Sequence, residues 1–168
     1  MFDTLSLLLH LIGQFLASPA GVFGGLLLMA AINTIPIWGK TPDIQWIDAV
    51  GITGNTTKDL TSGTNYLLYT ADATNGSYVQ KIRFRAKGTN VATVLRIWIN
   101  NGSTTATLAN NCYFDEITVA ATTLTETAAL AYFELAMNIA LPAGYKIYVT
   151  AGTAVAAGYM GCTIAAKY

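Results

Sequence analysis

The sequence predicts an all-β protein: a jelly-roll-like β-sandwich over residues 40–168, preceded by an apolar, helical N-terminal segment over residues 1–39. Three observations predict it. Apolar and polar residues alternate with a period of two in several short runs, the pattern of strands that bury one face. Turn residues punctuate those runs at roughly regular spacing. Near residue 40 the composition changes abruptly, because no charged residue occurs from Thr4 to Gly39.

The strands follow in order. Ile44–Asp48 and Tyr66–Thr70 come first. Lys81–Lys87 shows the plainest alternation, with Ile82, Phe84 and Ala86 on one face and four cations on the other. In Val94–Asn100 the apolar face is Leu95, Ile97 and Ile99. Tyr113–Val119, Tyr132–Met137, Tyr145–Thr150 and Met160–Ala166 complete the set. Between them lie Asn75-Gly76, Gly88-Thr89-Asn90, Asn101-Gly102, Pro142-Ala143-Gly144 and Ala157-Gly158, all of turn composition. Seven to nine short strands so spaced indicate a sandwich or barrel and not βαβ units. Two longer connections, near 102–111 and 120–130, are expected to carry the chain between sheets, which points to a jelly roll and leaves an immunoglobulin-like topology open. A helical turn would fit Thr122–Ala131. Gly88–Thr93 and Gly152–Ala157 resemble each other as two similar turns.

In the N-terminal segment, Leu5–Ala17 reads as an apolar helix, Ser18-Pro19 breaks it, and Val22–Ile32 resumes the apolar run. The combined length meets the roughly 20 residues of a bilayer span. Pro19, Gly21, Gly24 and Gly25 interrupt it, however, and each half alone is too short. A secretory signal fits poorly, since only Asp3 precedes the apolar run where a basic stretch belongs. Three readings stay open. Residues 5–32 form a membrane anchor or helical hairpin, or the segment is an arm packed under neighbouring subunits, or residues 1–28 are absent from a mature chain that begins at Met29.

Composition narrows the function classes. A chain of 168 residues makes one domain and buries about 70% of its unfolded surface, so no disulfide or metal is needed for a core. Apolar residues make up 53% and charged residues 11%, against about 25% charged in an average soluble domain. The formal net charge is zero, which removes any whole-molecule attraction for nucleic acid or an anionic membrane. Such a surface suits subunits that cover one another better than a free cytosolic enzyme.

Enzymatic signatures are sparse. The only histidine, His10, lies in the apolar segment, leaving the body without a base near neutral pH. No phosphate-cradling loop or nucleophile elbow occurs. Asp115 and Glu116 are adjacent on a strand and point to opposite faces, so they form no acid/base pair. A Ca²⁺ site at Asp72 and Asn75 lacks the loop pattern that such sites use. Cys112 and Cys162 read as small buried apolar residues, with a single bridge between them left open. No cofactor is expected.

The most informative constellation is cationic. Lys81, Arg83, Arg85 and Lys87 project from one strand face, and Arg96 joins them if the next strand pairs as a hairpin. The stripe docks against an acidic partner, or it is a solvated face paired with Asp115, Glu116 or Glu134. Nucleic acid is disfavoured, because only Trp98 brings an aromatic ring to that face. The frequent aromatics, Trp46, Tyr69, Tyr113 and Tyr132 among them, read as core or subunit interface, with a glycan platform as the alternative.

Three stretches resemble small virion proteins of tailed bacteriophages: Met29-Ala-Ala-Ile-Asn-Thr-Ile-Pro-Ile-Trp-Gly-Lys-Thr-Pro42, Gly88–Asn101 and Leu141–Tyr159. The similarity runs over residues 29–168 and stops before the apolar segment. It implies a capsid decoration (cement) or head-fibre protein on the virion exterior, assembled as a trimer of jelly-roll subunits on the major capsid protein. Pro36, Trp38 and Pro42 would then belong to an extended arm that enters the capsid contact. A host-glycan-binding fibre module and a membrane-anchored surface protein are the competing expectations.

Overall fold

A computed structural model describes residues 39–168. The predicted N-terminal helix, the alternative start at Met29, and Pro36 and Trp38 lie outside the described residues.

Eight strands form two antiparallel four-stranded sheets packed as a sandwich. They are β1 (Thr41–Val50), β2 (Tyr66–Thr70), β3 (Ser77–Ala86), β4 (Thr93–Asn100), β5 (Asn111–Val119), β6 (Tyr132–Leu141), β7 (Lys146–Ala151) and β8 (Tyr159–Lys167), with one 3-10 turn at Leu108–Asn110. Sheet I has the order β1-β8-β3-β6 and sheet II the order β2-β7-β4-β5. Every connection except β4–β5 therefore passes from one sheet to the other.

The alternation read from the sequence places the core. Ile82, Phe84 and Ala86 of β3 point inward and are buried, facing Leu95 and Ile97 of β4 and Ile147 and Val149 of β7. Leu68, Tyr69, Tyr159 and Met137 close the same cluster. Register shifts between Val79 and Lys81 let Val79 and Ile82 both reach the interior. Two shifts coincide with left-handed non-glycine residues, Ala49 in β1 and Asn138 in β6, as expected where a bulge adds a residue.

The two similar turns lie side by side. Asn90 Oδ1 accepts from the N–H groups of Ala157 and Gly158, and its amide donates to the Gly158 carbonyl at 3.0 Å. Thr93 Oγ1 donates to the Thr153 carbonyl and accepts from the Thr153 N–H. Asn90 also bridges Thr122 through both backbone bonds. One buried asparagine thus holds three loops at this end of the sandwich.

Four expectations are corrected. Residues 101–110 do not cross between sheets: they close the β4–β5 hairpin, zipped by Asn101 N–H to the Asn110 carbonyl and by Asn100 to Asn111. Residues 120–131 do cross, but without a helical turn, since Thr122 is caught in the Asn90 bridge. β3 and β4 do not pair as a hairpin, because the 87–92 turn, pinned by Asn90, carries the chain into the opposite sheet. Finally, both cysteines are free, and Cys112 is exposed on edge strand β5 while only Cys162 is half-buried.

Candidate functional site

The outer face of sheet I brings together most of the described residues that the sequence singled out. Its rows run across four strands. One reads Ile44, Ile164, Lys81, Ala136; the next reads Trp46, Cys162, Arg83, Glu134; a third joins Met160, Arg85 and Tyr132. The β1–β8 half is apolar and the β3–β6 half is cationic.

The first half of strand β1 is inside out, before Ile47 and Val50 return to the core. Its inward-facing positions include Asp43 and Gln45, while Pro42, Ile44 and Trp46 face solvent; Trp46 is 68% and Ile44 54% exposed. Local hydrogen bonds account for the inward polar residues. Gln45 donates to and accepts from the backbone of Thr70 on β2, at 2.9 and 3.0 Å, and so joins the two sheets at their edge. Asp43 accepts from the Tyr69 hydroxyl at 2.9 Å. Beside that carboxylate, in a buried setting, the Tyr69 hydroxyl is pushed well above its ordinary pKa, chiefly by desolvation. An edge strand that turns polar groups inward and large apolar groups outward presents those apolar groups for contact.

On the cationic half, Glu134 of β6 anchors two of the four cations. Lys81 Nζ lies 3.2 Å from its carboxylate and Arg83 Nε donates to it at 2.6 Å. These bonds, Arg83 first, hold the Glu134 carboxyl below its usual range. Lys87 pairs with Asp48 at 2.7 Å, and the Asp48 carboxyl is lowered in turn. Arg85 has no acidic partner among the described residues. The guanidinium groups of Arg83 and Arg85 lie 4.9 and 5.9 Å from the Tyr132 ring centroid, within reach of cation–π attraction. Four cations against two carboxylates leave this half formally positive. Arg83, Arg85, Lys87, Met160 and Cys162 line a shallow hollow of about 460 Å³.

Arg96 does not join the ladder, contrary to expectation. It lies on the outer face of sheet II and is only 9% exposed. Its Nη1 donates to the carbonyls of Asn55 and Thr57, and Glu116 lies 4.0 Å from its Nε. The 51–65 loop folds over it. Trp98 is buried on the same strand and donates to Thr150 at 3.1 Å, so it is not the aromatic of the cationic face. That residue is Tyr132, which the sequence reading missed because only the β3–β6 register brings it beside Arg85.

The other candidates resolve as turns. Asp72 accepts from the N–H groups of Thr74 and Asn75, which lowers its carboxyl pKa. Asp59 accepts from Thr61 and Ser62 within the 51–65 loop and is lowered likewise, first by the Thr61 hydroxyl. Among the described residues no three of His, Cys, Asp and Glu converge as a metal-ligand set. No protein-family model, curated protein or solved structure matches the chain.

Proposed function

We propose that this chain is a non-enzymatic structural protein of a phage virion, decorating the exterior of the shell through the outer face of sheet I. The reversed polarity of β1 carries the reading. Trp46 and Ile44 contribute exposed apolar area directly downstream of the arm that the sequence resemblance places against the shell, and Pro42 opens the strand. Burying such area stabilises a contact by about 25 cal/mol per Å² before the costs of association are subtracted. Lys81, Arg83, Arg85 and Lys87 add a cationic border suited to acidic partner groups, which fix register and speed encounter more than they add affinity. Arg96 is withdrawn from the docking set, since the 51–65 loop covers it.

We further read the sandwich as a jelly roll. Its pairs are nested, β1 with β8, β2 with β7, β3 with β6 and β4 with β5, as when one long hairpin ribbon folds over into two sheets. Jelly rolls serve widely as capsid and lectin domains. The fold alone therefore does not choose between shell and glycan, and the exposed β1 strip favours a protein surface.

The test adds purified full-length protein to phage shells stripped of their decoration proteins and measures co-sedimentation. Wild-type protein should saturate the shells at a fixed ratio to the major capsid protein, and Trp46→Ala should lose most of that binding while keeping the wild-type melting temperature. Saturation unaffected by Trp46→Ala, or binding only to glycan-bearing host envelopes, would sink the reading.

A further inference from the structure

We propose that the cationic ladder receives a second copy of this chain: the β5 rim at Phe114 and Asp115 of one copy seats in the hollow at Arg85 of the next. The inference rests on the outer face of sheet I being a docking surface, and it names the acidic partner that the cations meet.

Two unmatched halves lie on one molecule. Arg85 stands over the hollow without an acidic partner among the described residues, between Met160 and the Tyr132 ring. Its complement is on the opposite sheet. Strand β5 is exposed on both faces for most of its length, including Tyr113, Phe114, Asp115 and Glu116. Asp115 has no cationic partner among the described residues, and its Oδ1 only accepts from the neighbouring Glu116 N–H. The sandwich holds Arg85 and Asp115 on separate sheets, so the contact has to form between copies.

The geometry of β5 selects the kind of partner. Register shifts between Ile97 and Trp98, where Ile97 faces Asp115 and Trp98 faces Tyr113, leave Phe114 without a cross-strand partner. A bulge and exposed charges on an edge strand oppose the addition of another strand. A partner therefore meets this rim with a sheet face. The hollow offers such a face: a floor of Met160 and Cys162 for an aromatic ring, with arginine and lysine groups around it for the adjoining carboxylate. With a net charge of zero, the chain carries both signs in equal number, so a second copy can supply the carboxylate that Arg85 meets. Because two different patches meet, the contact is heterologous, and its repetition gives a ring where the rotation closes and an open filament where it does not.

Sedimentation velocity of the full chain tests this with Arg85→Glu, Asp115→Arg and the double variant. Each single reversal sets like charges together and should weaken self-association about tenfold or more, while the double variant restores it. Raising the ionic strength to about 1 M, where screening reaches about 3 Å, should weaken the wild-type assembly. The two native thiols give a second readout, as Cys112 lies on the β5 rim and Cys162 in the hollow. A short bis-maleimide should link wild-type copies into a covalent series, Cys112→Ser or Cys162→Ser alone should abolish it, and an equal mixture of the two variants should give only dimers. Single reversals that assemble like wild type, a double variant that stays dissociated, or cross-linking within a single-cysteine variant would overturn the proposal. If Arg85→Glu loses shell binding while Asp115→Arg leaves self-association intact, the ladder serves the shell alone and this inference fails while the shell reading stands. If neither Arg85→Glu nor Trp46→Ala changes shell binding, the shell reading fails instead.

Discussion

Arg96 Nη1 donates to the carbonyl oxygens of Asn55 and Thr57, at 2.9 and 3.4 Å, and thereby ties the 51–65 loop to the outer face of sheet II. Asn55 organises the same loop from within, accepting from the Thr57 N–H and hydroxyl and donating to the Ser62 carbonyl. Arg96→Ala removes a buried donor from two carbonyls. Charge-assisted bonds of this kind contribute about 1.5–3 kcal/mol, so the variant should melt roughly 5–10 °C lower. Arg96→Lys should recover part of the loss, because an ammonium nitrogen can also donate to both oxygens but sits on a shorter side chain. Self-association and shell binding should survive in either variant at temperatures where it stays folded, and thermal melts with co-sedimentation check both.

That residue also shows where sequence reading stops. The alternation of Ile82, Phe84 and Ala86 was legible because a strand with one wet face writes its burial pattern locally. In β4 the outward residues Arg96 and Trp98 are buried as well, since a loop some forty residues upstream in sequence covers Arg96 and the Tyr113 ring of β5 stacks on Trp98, and no local period records that. Tyr132 reached the cationic face through a β3–β6 register spanning nearly fifty residues. The inversion of β1 left a clue in Ile44-Gln45-Trp46, but its polarity depends on Gln45 finding the Thr70 backbone. The acidic partner of the ladder was easier: Glu134 was among the residues named from sequence as its possible counter-charges.

Asn90 should be the costliest polar side chain to truncate. It is 3% exposed, and its amide satisfies two N–H groups and one carbonyl of the 157–158 turn. Alanine leaves these buried groups unpaired, at about 1–3 kcal/mol for each group that water cannot reach. Partial relaxation brings the expected loss to about 3 kcal/mol. Asn90→Asp should be intermediate, because its carboxylate keeps the acceptor and loses the donor to Gly158. Urea unfolding separates the three, with unchanged slopes if only the native state is affected.

Acid should destabilise the sandwich through four surface carboxylates. Glu134, Asp48, Asp59 and Asp72 all have lowered pKa values in the folded chain, from Arg83, Lys87, the Thr61 hydroxyl and the Asn75 N–H respectively. Each binds its proton more weakly folded than unfolded, so the unfolded chain takes up protons first as pH falls. The stabilisation is complete above the ordinary carboxylate range, near pH 4, and is lost as pH drops through the lower folded values. Melting temperature should therefore decline below about pH 5 and keep falling toward about pH 2. Glu134→Gln should flatten part of that decline, and a melting temperature independent of pH across this window would contradict the assignment.

Gly161 sits where β8 crosses the middle of sheet I, and its missing side chain makes room for two core residues. A Cβ there would lie 2.9 Å from Leu68 Cδ1 and 3.0 Å from Phe84 Cε1. Two effects oppose each other in Gly161→Ala. Replacing glycine within a strand gains about 0.5–1 kcal/mol of backbone entropy, whereas an extra methyl in a filled core costs about 1–3 kcal/mol. Phe84 and Leu68 are 0% and 2% exposed, so neither can swing into solvent to relieve the clash, and overpacking should win by about 1 kcal/mol. Gly161→Ala combined with Leu68→Val removes the nearer contact. If the loss is steric, this double variant should be more stable than the sum of its single effects predicts. Strict additivity in a double-mutant cycle would instead place the cost in the β8 backbone.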